Sequence, residues 1–90
     1  MKKNKAETIL EFPCEFPIKV MGKASESFET AVYHIIKQNV DELKEDAITT
    51  RTSGKGTYLS ITLTITAQSQ HQLDTIYEQL SACEQVIMAL

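Results

Sequence analysis

Cysteine is scarce in this 90-residue chain, which contains only Cys14 and Cys83. Small secreted domains that rely on disulfides usually carry more cysteines at closer spacing. The sequence therefore predicts two reduced thiols in a cytoplasmic protein. Zinc sites need closely paired ligands, whereas His34 and His71 lie far from each other and from both cysteines, so no metal or other cofactor is expected.

Long apolar runs are also lacking. No stretch of about 18 apolar residues could span a bilayer, and the lysine-rich residues 1–7 lead into no apolar run of the length that a signal peptide requires. We therefore expect a chain that does not enter membranes, in which residues 1–9 form a disordered, solvated tail.

An excess of basic residues is the third absence. Lysine and arginine number 9 against 12 aspartates and glutamates, a net charge of -3, so the chain as a whole does not attract nucleic acid. Ninety residues, 42% of them apolar, suit one domain, 1–90, with a single core and little room for an enclosed active site. No set of nucleophile, base and metal ligand stands out, so the protein is not expected to be an enzyme.

The clearest positive signal is a strict alternation of apolar and hydroxyl-bearing residues from Tyr58 to Ala67. A period of two in β-branched residues predicts a strand in a sheet with one apolar and one polar face. A weaker strand, Ala47 to Ser53, precedes it, and the glycines of the intervening Gly54-Lys55-Gly56-Thr57 permit positive φ angles. The two strands are predicted to form a hairpin.

Two amphipathic helices are predicted on either side of this hairpin in the chain. Ser25 is placed to cap the first, and Ser69 and Gln72 have the spacing of a capping box at the start of the second. Cys83 extends the second apolar stripe and is expected in the core. The two stripes consist of Phe28, Val32, Ile35 and Ile36, and of Leu73, Ile76, Tyr77 and Leu80.

Short apolar runs at Phe16–Gly22 and Gln85–Leu90 complete the element order βαββαβ. Because the sheet has one apolar face and each helix has one apolar stripe, both helices are predicted to cover the same face. Right-handed crossovers then give a ferredoxin-like α+β sandwich whose four antiparallel strands have the order 4-1-3-2. The other face stays open, and strands two and four are edges.

Several segments of the chain match a family pattern. Leu10 to Gly22 reads LEFPCEFPIKVMG, Thr52 to Thr62 reads TSGKGTYLSIT, and the match continues through Gln72-Leu73-Asp74, Ile76-Tyr77 and Val86 to Leu90. In these segments the chain resembles the YbeD-like family of small, uncharacterised bacterial cytoplasmic proteins. The resemblance implies a ferredoxin-like fold, similarity to the ACT-type regulatory domains of amino-acid-metabolising enzymes, and no established catalytic activity.

The open face and edges are the predicted functional surface, since such surfaces are where a domain of this kind acquires a partner. We expect a regulatory or protein-interaction module that pairs with itself or with another protein. The residues predicted to form this partner surface are Lys19, Met21, Thr62 and Thr64 on the face and Arg51, Lys55 and Tyr58 around the hairpin.

A small metabolite is an alternative ligand. Gly22, Lys23 and Ser25 belong to the connection between the first strand and the first helix, where ACT-type domains often receive a small amino acid. A helix N-terminus suits the carboxylate of such a ligand. This interpretation predicts an ACT-like sensor.

Weak RNA binding is a further alternative. The segment from Lys55 to Thr62 lies on the strand where an RNA-recognition motif carries its signature. Base stacking requires aromatic rings on the outward face, but the third, fifth and eighth positions of the pattern are Thr57, Leu59 and Thr62. Nucleic acid is therefore an unfavoured partner.

Overall fold

The structure, a computed structural model, describes residues 11–90, apart from the side chain of Glu45. In chain order its elements are strand β1 (Cys14–Lys23), helix α1 (Glu26–Asn39), a 3-10 turn (Glu45–Ala47), strand β2 (Ile48–Thr52), strand β3 (Tyr58–Ala67), helix α2 (Gln70–Ala82) and strand β4 (Val86–Ala89). Neither described helix is long and apolar enough to cross a membrane. The predicted tail, residues 1–9, lies outside the described residues.

The four strands form one antiparallel sheet in the order β2-β3-β1-β4. This order confirms the predicted ferredoxin-like topology. β1 and β3 are the central pair, and all 10 residues of each strand are paired. β2 pairs with the first part of β3, from Thr52 opposite Leu59 to Ile48 opposite Leu63. β4 is short, and its pairing with β1 shifts register beside Gly22.

The core lies between one face of the sheet and both helices. β3 contributes every second residue, and each of these side chains is at most 7% exposed: Leu59, Ile61, Leu63, Ile65 and Ala67. The helices bury Phe28, Val32 and Ile36 of α1 and Leu73, Ile76 and Leu80 of α2. Among the described residues no polar or charged side chain is buried. The prediction that both helices cover one face is confirmed.

Serine side chains begin both helices, as the capping pattern predicts. The hydroxyls of Ser25 and Ser69 each accept a hydrogen bond, 3.1 Å long, from the amide three residues later. The second bond of the predicted capping box, from the amide of Ser69 to the side chain of Gln72, is wrong. Gln72 Oε1 accepts from the amide of Gln68 at 2.7 Å, and Gln72 Nε2 donates to the carbonyl of Asn39 at 2.7 Å. The Gln72 side chain therefore ties the start of α2 to the end of α1.

Several predicted boundaries differ from the structure. β1 is longer than the predicted Phe16–Gly22, because the long strand β3 offers a partner for every residue from Cys14 to Lys23. β2 and β4 are both shorter than predicted. Cys83, expected in the core, is the half-buried residue at which α2 ends. The chain leaves the helix there, so the buried stripe of α2 stops at Leu80.

Candidate functional site: the open face of the sheet

The face of the sheet opposite the helices carries hydroxyl-bearing and charged side chains. Side chains alternate between the two faces along each strand, so the residues of β3 between the core positions point away from the helices. We call this surface the open face; it consists of Glu15, Pro17, Lys19, Met21 and Lys23 of β1, Thr49 and Arg51 of β2, Tyr58, Ser60, Thr62, Thr64 and Thr66 of β3, and Met88 of β4.

Two cations flank a row of hydroxyls on the open face. Lys19 of β1 is opposite Thr62, and Arg51 of β2 is opposite Ser60, so the two basic side chains stand on either side of β3. Together with Thr49 they line a shallow depression of about 340 Å³. Ammonium, guanidinium and hydroxyl groups all donate hydrogen bonds to carboxylate or phosphate oxygens. The depression is therefore suited to an anionic group of a partner.

Acidic residues gather at the other end of the open face. Glu15 is opposite Thr66, and a second depression of about 300 Å³ at this end is bordered by Glu15, Glu42, Lys44 and Asp46. The opposite half of the face, which we call the basic half, carries Lys19, Lys23 and Arg51. The two signs of charge are thus separated along β1. An acidic segment would be attracted to the basic half even though the chain has a net charge of -3.

Six of the seven residues predicted to form the partner surface share the open face, and Lys55 does not. Lys55 lies in the hairpin turn, where Gly56 has a φ of 74° and donates its amide to the carbonyl of Ser53 at 2.8 Å. Met88, which is 48% exposed, lies opposite Met21 and was not predicted. Its strand and the place of that strand beside β1 were predicted from sequence, but the register of the pairing was needed to place Met88 opposite Met21.

The predicted ligand loop is shorter than expected, because Gly22 and Lys23 belong to β1. A Cβ at Gly22 would lie 2.5 Å from the carbonyl oxygen of Gln85 and 2.5 Å from the ring of Phe28. Such separations are far below van der Waals contact. Glycine at this position therefore allows close packing of β1 against α1, whereas the sequence interpretation placed it in the connection between them.

The donors at the start of α1 already have partners within the domain. The amide of Ala24 donates to the carbonyl of Thr57 at 3.0 Å. The amide of Phe28 donates to the hydroxyl of Ser25 at 3.1 Å. A carboxylate ligand would have to compete with these bonds, which counts against the loop as a metabolite site.

The RNA-type segment of β3 presents the wrong side chains to the open face. Leu59, at the fifth position of the pattern, is only 7% exposed because it faces the helices. Tyr58 is 44% exposed and is the single ring in this strand. Since sheets of this kind recognise RNA by stacking two or three bases on aromatic rings, β3 provides a poor platform.

The side chains that could perform nucleophilic or metal chemistry are dispersed. His34 and His71 are exposed on α1 and α2, Cys14 begins β1, and Cys83 ends α2. Both cysteines are free thiols. Within residues 11–90 no group of three or more histidine, cysteine, aspartate or glutamate side chains could hold a metal ion.

Two solved structures define the class to which this fold belongs. The solution structure of protein HP0495 from H. pylori has a TM-score of 0.74 at 12% identity and covers 100% of this chain and 94% of that chain. The solution NMR structure of the ACT domain from the GTP pyrophosphokinase of Chlorobium tepidum has a TM-score of 0.64 at 15% identity and covers 84% of each chain. The protein is a ferredoxin-like α+β domain similar in fold to ACT domains.

Sequence comparison identifies the family within that class. Residues 7–90 match the model of DUF493, a protein of unknown function. The UPF0250 protein NE1487 of Nitrosomonas europaea is 40% identical over 84 residues, which are 93% of this chain and 97% of that protein. A UPF0250 protein of Shewanella sediminis is 42% identical over 86 residues, 96% of each chain. The chain belongs to this family of uncharacterised bacterial proteins, which confirms the resemblance to the YbeD-like proteins.

Proposed function

We propose that this protein is a non-enzymatic interaction module that binds a partner protein through the basic half of its open face. The observation that carries the proposal is the pair of cations, Lys19 and Arg51, on either side of the hydroxyl row of β3. Neither helix covers this face, so a partner can reach it without any rearrangement of the core.

The chemistry of the face favours a partner with an acidic segment. Its carboxylates would lie over Ser60 and Thr62 between the two cations, where charge-assisted hydrogen bonds are available. Met21 and Met88 form an apolar spot beside the cations. Flexible methionine side chains adapt to different partner surfaces. A stable complex needs roughly 800 Å² from each partner, so we expect the partner to cover the open face beyond the depression as well.

The placement of the reactive groups supports a role in binding, with no catalytic step. The open face contains neither histidine nor cysteine, and its one described carboxylate, Glu15, lies at the end away from the cations. The two free thiols suit a reducing compartment, so we place the protein in the bacterial cytoplasm.

Site-specific photo-crosslinking in living cells tests this proposal. A photoreactive amino acid in place of Thr62 reports on the open face, and one in place of Glu78 reports on the exposed side of α2. We expect a discrete crosslinked partner from position 62 and none from position 78. Arg51→Glu should abolish this product, whereas Lys44→Glu, an equal charge change outside the basic half, should leave it. Equal products from both positions would contradict the proposal.

A metabolite sensor is the second candidate, and the ACT-like fold is the observation that favours it. Ligand at 100 times its dissociation constant should stabilise the folded protein by about 2.7 kcal/mol. A thermal-shift screen of amino acids and small carboxylates measures this effect. A flat screen would eliminate the sensor and leave the partner-binding proposal intact.

A further inference from the structure

Within residues 11–90, strand β2 is an edge of the sheet, and its outward amides and carbonyls have no hydrogen-bond partner. The amide of Ser53 donates to the carbonyl of Tyr58 at 2.8 Å. This bond determines which alternate residues of β2 direct their amides and carbonyls toward β3. In an antiparallel pair the bonding direction alternates along the strand, so Arg51 and Thr49 bond to β3. Ile48, Thr50 and Thr52 therefore direct their amides and carbonyls away from the sheet.

The two edges of the sheet differ in how they resist pairing with another strand. β4 has 4 residues and a register shift beside Gly22, and irregular, short edges pair poorly. β2 is regular over its 5 residues, Ile-Thr-Thr-Arg-Thr, and contains no proline, glycine or acidic residue. Its one charged side chain, Arg51, points to the open face. β2 is thus the unprotected edge among the described strands.

An apolar groove runs beside this edge on the helix-covered side. It has a volume of about 340 Å³, and its lining includes Val32 and Tyr33 of α1, Ile48 of β2, and Ile61 and Leu63 beneath them. Tyr33 is 47% exposed. A strand added next to β2 would place alternate side chains into this groove, which would remove the apolar surface from water.

Tyr33, near the middle of α1, and Thr50, the middle residue of β2, lie at nearly the same position along the direction of the strands. The ring of Phe28 lies beside Gly22, and Gly22 is linked through Leu59 to Thr52 by strand pairing. Tyr33 is five residues beyond Phe28, about 7.5 Å along the helix. Thr50 is two residues from Thr52, about 6.8 Å along the strand. One two-fold axis can therefore pass close to both Thr50 and Tyr33.

Charges on α1 are complementary to their own copies about such an axis. Glu29 precedes Tyr33 by four residues and Lys37 follows it by four, so all three lie on one side of the helix. When the two α1 helices run antiparallel, Lys37 of the second copy lies opposite Glu29 of the first. Glu29 of the second copy likewise lies opposite Lys37 of the first. Two opposite-charge pairs would form, with the two Tyr33 side chains between them.

We propose that the protein forms a symmetric dimer through β2 and α1, in which two four-stranded sheets join into one continuous eight-stranded sheet. Thr50 pairs with its own copy, and Ile48 with Thr52, through about six main-chain hydrogen bonds. The two apolar grooves meet under the Tyr33 side chains. The open faces of both copies stay accessible on the other side, so this inference goes beyond the proposed function and does not depend on it.

Sedimentation equilibrium of the full chain with charge-exchanged variants tests the dimer. The wild-type chain is expected to dimerise below millimolar concentration. Glu29→Lys and Lys37→Glu each turn two attractions into two repulsions and should weaken dimerisation by roughly tenfold or more. An equimolar mixture of the two variants should recover it, because every cross-interface pair is again of opposite charge. Glu78→Lys, the same charge change on α2, should have no effect.

Thr50→Pro tests the strand pairing. Proline removes an outward amide that is not bonded to β3, so the variant should fold with a thermal midpoint close to that of the wild type and sediment as a monomer. A wild-type monomer at millimolar concentration would overturn the inference, as would an equimolar mixture that fails to dimerise. If Thr62→Arg on the open face abolishes the dimer while folded Thr50→Pro keeps it, the copies meet through the open face and the edge dimer is wrong.

Discussion

The two faces of β3 are built from the same stretch of chain, yet they have opposite properties. Toward the helices its residues are apolar and at most 7% exposed. Toward the other side, Ser60, Thr62 and Thr64 are half-buried and Thr66 is exposed. The helices cover the apolar face, and none of the described polar side chains is buried between them and the sheet.

This difference separates the face that stabilises the domain from the face that stays accessible. Burial of apolar surface stabilises the domain from one face, so substitutions on the other face are constrained chiefly by strand propensity. Charges and hydroxyls of the open face can therefore be changed by mutation without rebuilding the core.

Matched substitutions on neighbouring residues of β3 give the largest expected difference between the faces. Leu63 is 1% exposed, and Leu63→Ala should lower the free energy of unfolding by about 2 to 5 kcal/mol through lost burial and a cavity. Thr62→Ala should lower it by about 1 kcal/mol or less. Urea unfolding measures both. Equal losses would mean that the open face also contributes to the core.

A smaller contrast is expected between two glycines. Gly22→Ala on the covered face forces a methyl group against the Phe28 ring and the carbonyl of Gln85, and should cost about 1 to 3 kcal/mol. Gly54→Ala, in the hairpin turn, meets nothing within 4 Å, and should change the unfolding free energy by about 0.5 kcal/mol or less. Thermal unfolding compares them. A neutral Gly22→Ala would show that β1 and α1 pack less closely than described.

The smallest effect is expected at alkaline pH. Tyr77 of α2 donates its hydroxyl to the carbonyl of Leu90 at 2.9 Å, and partial burial raises the pKa of Tyr77 above its ordinary value of 10.0. The unfolded chain therefore loses this proton at a lower pH than the folded protein. The contribution of neutral Tyr77 is fully present below about pH 10 and decreases as pH rises through the raised pKa. Tyr77→Phe should show a shallower loss of stability between neutral and alkaline pH, and an unchanged slope would contradict this assignment.

Local patterns in the sequence predicted the fold well. The period of two in β3 assigned its residues to two faces, and Ser25 and Ser69 marked where the helices begin. These signals depend on neighbouring residues in the chain, since strand alternation and capping are properties of single elements. The partner surface was also predicted largely from alternation, which assigned Lys19 and Met21 to the same side as Thr62.

The sequence pattern failed where an outcome depends on two distant segments. Gly22 was placed in a possible ligand loop between the first strand and the first helix, but its role arises from contact with Phe28 and Gln85. Gln72 was expected to complete a capping box, but Asn39, at the far end of α1, is within reach of its side chain. Met88 was missed for the same reason, because its place beside Met21 depends on the register of β4.

The order of elements, the apolar face of each and the polar character of the open face follow from the sequence by itself, because they depend on periodicity and on residue type. Tertiary structure alone decided which side chains meet. It brought Lys19 and Arg51 to either side of β3, and it set Tyr33 of α1 and Thr50 of β2 along one apolar groove. Such meetings are decided by packing and strand register, in which contacts between remote segments compete for the same space.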